Sequence, residues 1–200
     1  RESIKLVSAD GARWIASAMR KYCPKAERCI DPFHVVSWAQ CILDKLKNKA
    51  VSEARKVMLA SKTKRSKGRP ATGEQTETEE EKAYKSIKGS KYALLKNPEN
   101  LTDNQKARLE MILLNNPKLA RAYRLKEELR LIFKLPLKEV PEAIYKWRHK
   151  AWTSRIPEFV DFHKKIHRHE EAIIATMKNG LSNARIEAIN NKIKLSIRMA

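Results

Sequence analysis

The sequence predicts an α/β protein. Two short parallel strands with crossover helices lie near the N-terminus, a large all-helical stretch interrupts this core, and a last amphipathic helix closes the chain. Three observations predict it. Residues 4–9 and 26–30 are short and β-prone, and each is followed by a helical pattern over a short connection, an order that favours parallel strands joined by a helix. From about residue 81 to residue 178, apolar residues recur at helical spacing and no alternating run interrupts them. Between these parts, residues 61–80 are rich in charge and almost empty of apolar side chains, the composition of a flexible linker.

Each element follows from local signals. Ile4 to Ala9 is partly alternating and ends at Asp10-Gly11, where the chain must turn. A helix is expected from about Ala12 to Tyr22, with Trp14, Ile15, Ala18 and Met19 on its inner face, and Pro24 terminates it. Ala26 to Ile30 reads as the second strand, ending at Asp31-Pro32. A long helix then runs to about Ala60, with Val36, Ala39, Ile42, Leu43, Leu46 and Ala50 inward. The linker opens with Lys62, Lys64, Arg65, Lys67 and Arg69, which either touch phosphate or form a solvated loop, and continues with acids from Glu74 to Glu81. Beyond it, Tyr92, Leu94 and Leu95 form a small apolar knot, Asn97-Pro98 turns, and Thr102 is placed to cap the next helix. Pro117, Pro136, Pro141 and Pro157 divide the remaining helices. Asn179-Gly180 is a stop signal, since both residues tolerate positive φ. Ser182 or Asn183 caps a final helix over residues 179–200, in which Ile186, Ile189, Ile193 and Ile197 make an apolar stripe. The domain organisation expected is therefore a core in residues 1–60, a linker in 61–80, a helical insertion in 81–178 and a closing helix in 179–200.

The charge narrows the function. The chain has 200 residues, with 43 Lys and Arg against 23 Asp and Glu, a net charge of +20. Such an excess attracts a polyanion and speeds its capture; nucleic acid comes first and an anionic membrane surface last. No apolar run approaches the roughly 18 residues of a spanning helix, and no signal-peptide pattern is present, so no membrane partner and a cytoplasmic location are expected. Cys23, Cys29 and Cys41 are odd in number and lack C-x-x-C spacing, which fits free thiols and excludes a zinc finger. The chain begins at Arg1 without Met and enters a strand almost at once, so an upstream part is expected.

Several side chains are candidates for chemistry. Asp10 and Asp31 end the two strands, at the sheet edge where open α/β sheets bind ligands, although strand-end Asp is commonly a turn former. On the final helix Glu187, Asn190, Asn191, Lys194 and Arg198 fall on one polar stripe. An acid near a helix start, followed by amides and cations, suits a metal and a phosphate backbone; an ordinary solvated face has the same spacing. His34 either ligates metal, orients a carboxylate, or packs against the backbone. His163 and His167 stand at i, i+4 but lack a third fixed ligand, which favours a solvated basic face. Trp147 and Trp152 fit either core packing, the commoner case, or stacking on bases.

Four segments together carry a family resemblance. Val7-Ser8-Ala9-Asp10, Asp31-Pro32-Phe33-His34-Val35, the run from Lys88-Gly89-Ser90-Lys91 to Asn97, and Ser182-Asn183 through Glu187 to Lys194 occur in the order found in bacterial insertion-sequence transposases of the DDE type, in the ISL-three group, which the chain resembles over nearly its whole length. The resemblance implies a partial RNase H-like core with a helical insertion before the last catalytic helix. It implies DNA transposition by a carboxylate triad that cuts and joins DNA with Mg²⁺ (or Mn²⁺). Asp10 then looks like the second acid and Glu187 like the third, both catalytic and metal-ligating, with the first acid on an earlier strand outside this chain. The fragment alone would then be inactive. Asp31, His34 and Asn191 resemble supporting residues, and Lys192, Lys194 and Arg198 would hold the DNA. The partners implied are transposon ends and target DNA, with a homo-oligomer compatible and a nucleoid-associated location. Asn183-Ala184 departs from the Asn-Gly usual in that family. The alternative from the residues alone is a non-enzymatic, basic helical protein that binds nucleic acid by charge.

Overall fold

A computed structural model of the chain describes residues 3–9, 11–63, 77–180, 192 and 195–198. In order, its elements are β1 (Leu6–Ala9), α1 (Arg13–Tyr22), β2 (Glu27–Ile30), α2 (Pro32–Thr63), α3 (Glu79–Lys88), α4 (Lys91–Leu95), a 3-10 turn (Pro98–Asn100), α5 (Asp103–Asn115), α6 (Pro117–Ile132), α7 (Val140–Thr153) and α8 (Pro157–Asn179). The described chain is mostly helical with one two-stranded sheet. Residues 64–76, the middle of the expected linker, and 181–191, most of the expected final helix with its cap, lie outside the described residues. The chain divides into two compact units: Arg1–Ala39 with Glu128–Ala200, and Gln40–Glu127.

In the first unit β1 and β2 pair in parallel, Leu6 opposite Glu27 and Ala9 opposite Ile30, with α1 as the connection. Pro24 follows the α1 C-cap, as its missing N–H requires. Two strands cannot bury their own faces, so α8 packs on β2. The Thr176 hydroxyl donates to the carbonyl of Ile30 at 2.8 Å, and Asn179 Nδ2 donates to Glu27 Oε2 at 3.0 Å. Asn179 is the last helical residue and Gly180 takes the left-handed conformation at φ 60°, the C-terminal stop that its lack of a Cβ permits. Helix α7 packs along α8. Trp147 meets Phe162 edge-on, with ring centroids 5.5 Å apart, and Phe162 also meets Trp38 and Phe159 edge-on. In the tight link between α7 and α8, Ser154 Oγ donates to the Ala151 carbonyl and accepts from Ile156 N. Arg155 there holds φ 58°, a strained conformation for a side chain with a Cβ.

In the second unit Thr102 caps α5 through a capping box with Gln105, and Pro117 opens α6 directly after α5 ends. Lys126 is wholly buried: its ammonium donates to the Leu94 carbonyl, pairs with Glu127 and lies 4.8 Å from the Tyr123 ring centroid. Paired in this way a buried lysine is tolerable.

Three expected core positions are corrected. Trp14 is 73 % exposed, whereas Met19 is buried. The buried arc of α1 is centred near Met19, and Trp14 lies roughly 140° around the helix from it. Tyr92 is exposed while its neighbours Ala93 and Leu94 are buried, because α4 is too short to turn a wide face inward. Trp147 is 2 % exposed, as expected for a core residue, but Trp152 is 57 % exposed. Trp147→Ala is therefore expected to cost about 3–5 kcal/mol of stability, and Trp152→Ala no more than about 1 kcal/mol. Urea unfolding of the two variants checks this; equal losses would mean that the α7 faces are assigned the wrong way round.

Candidate functional site at the carboxyl end of the sheet

Asp31 follows β2 directly and is 4 % exposed. Its Oδ1 accepts from Phe33 N at 2.8 Å, and its carbonyl accepts from His34 N and Val35 N. Asp31 therefore caps α2, a carboxylate set against free N–H groups at the positive end of the helix dipole. This is the turn-forming use of a strand-end Asp. His34, one turn into α2, is half-buried and edge-on to Phe33 at 6.2 Å. Its Nδ1 is shielded from solvent and has no hydrogen-bond partner among the described residues.

Asp10, the residue after β1, lies outside the described residues, as do Glu187, Asn191 and Lys194. Lys192 and Arg198 are described; both are helical and exposed. Among the described residues no group of three His, Cys, Asp or Glu side chains is arranged to hold a metal ion. His163 and His167 form no such group: the His163 ring contacts the Val160 carbonyl, and His167 is exposed with Glu170 at 3.4 Å.

Two side chains at this edge were not singled out from the sequence. A Cβ at Gly11 would lie 2.5 Å from the Trp38 ring and 3.5 Å from His169 Nε2. Only glycine fits there, and its closeness shows that α2 and α8 both reach the end of β1. His169 lies tilted against Trp38, with centroids 5.9 Å apart and the rings at 43°, and the Lys165 ammonium lies 3.3 Å from the Trp38 ring centroid. His169 is 4 % exposed and its Nδ1 has no hydrogen-bond partner among the described residues. Burial, then the positive charges of Arg28, Lys165 and Arg168, push its pKa down to about 4, so it is neutral at pH 7. The signal was legible: His169 interrupts an apolar stripe formed by Phe162, Ile166 and Ile173, a position where a polar ring needs a reason.

Residues 1–200 match the ISL3-group family of DDE type, described as "Transposase". The chain is 43 % identical over 194 residues to the transposase for insertion sequence element IS1557 of Mycobacterium tuberculosis, in strains CDC 1551 / Oshkosh and ATCC 25618 / H37Rv; the match covers 97 % of this chain and 43 % of the relative. It is 27 % identical over 201 residues to the transposase for insertion sequence element IS1001 of Bordetella parapertussis, covering 100 % of this chain and 44 % of the relative. The chain thus spans less than half the length of these relatives. No solved structure matches it at a significant level.

The depressed pKa of His169 makes stability pH-dependent. The unfolded chain protonates this ring below its ordinary pKa of 6.5, while the folded chain resists until about 4. Stability is therefore complete above pH 6.5 and falls as pH drops toward 4, by on the order of 3 kcal/mol from this residue. Urea midpoints at pH 7 and pH 4.5 are expected to converge in His169→Gln relative to the parent; an unchanged difference would place the acid sensitivity elsewhere.

Proposed function

Because the chain belongs to the ISL3-group family of DDE transposases, we propose that the protein carrying it performs DNA transposition, cutting and joining DNA strands at the ends of an insertion sequence. The observation that carries this reading is the family match along all 200 residues. A parallel strand pair whose next residues in sequence are Asp10 and Asp31 supports it, since ligands of open α/β sheets collect at that edge. In this reading β1, α1, β2 and the closing helix are parts of an RNase H-like core.

Asp10 and Glu187 are the acids assigned to hold Mg²⁺ or Mn²⁺, because hard divalent cations prefer carboxylate oxygens. Such ions, when bound, activate the attacking oxygen and stabilise the leaving one. The other roles belong to the chain's own groups. Asp31 spends its carboxylate on the start of α2, which favours a supporting role over direct ligation; it fixes the end of β2 and presents His34 on the first turn. Asn191 is assigned beside Glu187 on the same helix stripe. Lys192, Lys194 and Arg198 neutralise backbone phosphates and hold DNA without reading its bases. Transposon ends and target DNA are the partners, in a homo-oligomer if both ends are cut together. Among the described residues no helix is long and apolar enough to cross a membrane.

The test uses the intact transposase and a labelled duplex carrying the element's end, with Mg²⁺. Asp10→Ala and Glu187→Ala, singly or together, are expected to lower strand cleavage by at least roughly 10³-fold while leaving DNA binding in place. Cleavage that persists at the parent rate in the double variant would sink the assignment and leave a basic protein that binds nucleic acid without cutting it.

A further inference from the structure

Helices α7 and α8 line an open cavity of about 220 Å³, bounded by Tyr145, Arg148, His149, Trp152 and His163. The four α7 residues fall at i, i+3, i+4 and i+7, which is one face of that helix. They lie beside its buried arc of Ile144, Trp147 and Ala151. Two large aromatic side chains are left in solvent there, Tyr145 at 66 % and Trp152 at 57 % exposure. One exposed aromatic residue is ordinary. Here two share a cavity with two imidazoles, so four ring systems surround one opening. His149 meets Trp152 edge-on, with centroids 5.9 Å apart, and this contact sets the indole before anything binds. The His163 ring is held against the Val160 carbonyl. The cation of the cavity is already engaged, since Arg148 Nη1 donates to Glu170 Oε2 at 2.7 Å. The cavity is therefore aromatic in character rather than cationic.

We propose that this cavity stacks one unpaired nucleobase of a DNA strand, with Trp152 and Tyr145 as the platform. Flat rings set in place by their neighbours suit a flat ligand, and they lose little conformational freedom when it binds. At about 220 Å³ the cavity is smaller than the roughly 300 Å³ at which drug-sized pockets begin, which suits a single base. Arg155, three residues after Trp152, is exposed in the link between α7 and α8 and supplies a cation for a phosphate flanking that base. The net charge of +20 draws a polyanionic strand to the protein. Every base has a π face, so stacking of this kind ignores sequence. A base inside a duplex has both faces covered by its neighbours and must leave the stack to enter. The cavity therefore separates unpaired bases from paired ones. That the base belongs to DNA rests on the transposase reading.

The test uses the intact transposase and two labelled probes, a single DNA strand and the fully paired duplex of the same sequence, across a salt series. It compares the parent with Trp152→Ala, Tyr145→Ala and the ring-keeping Trp152→Phe, each checked for folding by urea unfolding. Trp152→Ala is expected to weaken the single strand by about 10-fold. It is expected to leave the duplex, and the slope of log affinity against log salt, unchanged, because no phosphate contact is lost. Tyr145→Ala is expected to act in the same direction, and Trp152→Phe to keep most of the parent's affinity for the single strand. A merely structural role would move both probes together and would overturn the proposal. Single-strand affinity equal to the parent's in both Ala variants would also overturn it, while duplex binding and cleavage leave the transposase reading standing. If the Ala variants change sedimentation and not strand affinity, the face is a contact between copies of this chain and the proposal falls. A parent that binds neither probe would overturn the proposal and the transposase reading together.

Discussion

The packing of α8 on β2 is what the first unit depends on. A two-stranded parallel sheet has two faces and two edges to satisfy and too few residues to do it, so it is stable only under a cover. Here the cover comes from far along the chain: Thr176 bonds the last carbonyl of β2, with a sequence separation of 146 residues. The cost in chain entropy of that closure grows only slowly with length. The burial that accompanies it, of Cys29 and Ile30 on β2 and of Ala172, Ile173 and Thr176 on α8, is nearly complete. Once α8 is seated it brings His169 to the end of β1, so the cover of the sheet also furnishes part of the candidate site.

Charge is distributed unevenly in a way that bears on function. Many of the acids are engaged close to home, in pairs three or four residues apart such as Asp44–Lys47, Glu79–Lys82, Asp103–Lys106, Glu142–Lys146 and Asp161–Lys164. All but Asp44–Lys47, whose ammonium is largely buried, are exposed pairs that add little stability, but they cancel cations locally. What they leave over includes the exposed Arg20 and Arg168. The net charge of +20 is a surplus of cations that such local pairing does not remove.

The strand–helix order, the proline boundaries, the Thr102 cap and the glycine stop at residue 180 were all legible from the amino-acid sequence, because each depends on interactions within a few residues. The family resemblance was legible for a related reason: its segments are short, and their order survives without any knowledge of packing. Apolar periodicity likewise separated a buried face from an exposed one along α2 and α8. It failed at Trp14, Tyr92 and Trp152, where a helix carries apolar residues on more than one arc. Which arc turns inward is set by the neighbour it meets, and no local pattern records that.

Tertiary structure alone decided the use of the side chains. Asp31 reads as a strand-end acid and is spent capping a helix; His169 reads as an ordinary helical residue and is held neutral against Trp38, beside the end of β1. Trp152 and His163 stand on two different helices and line one cavity, and nothing in their spacing joins them. The sequence by itself determined which elements form and in what order, since backbone preference and hydrophobic period act over one or two turns. Only the folded chain decided which side chains share a cavity and which of them meet, since those depend on the packing of segments far apart in the chain.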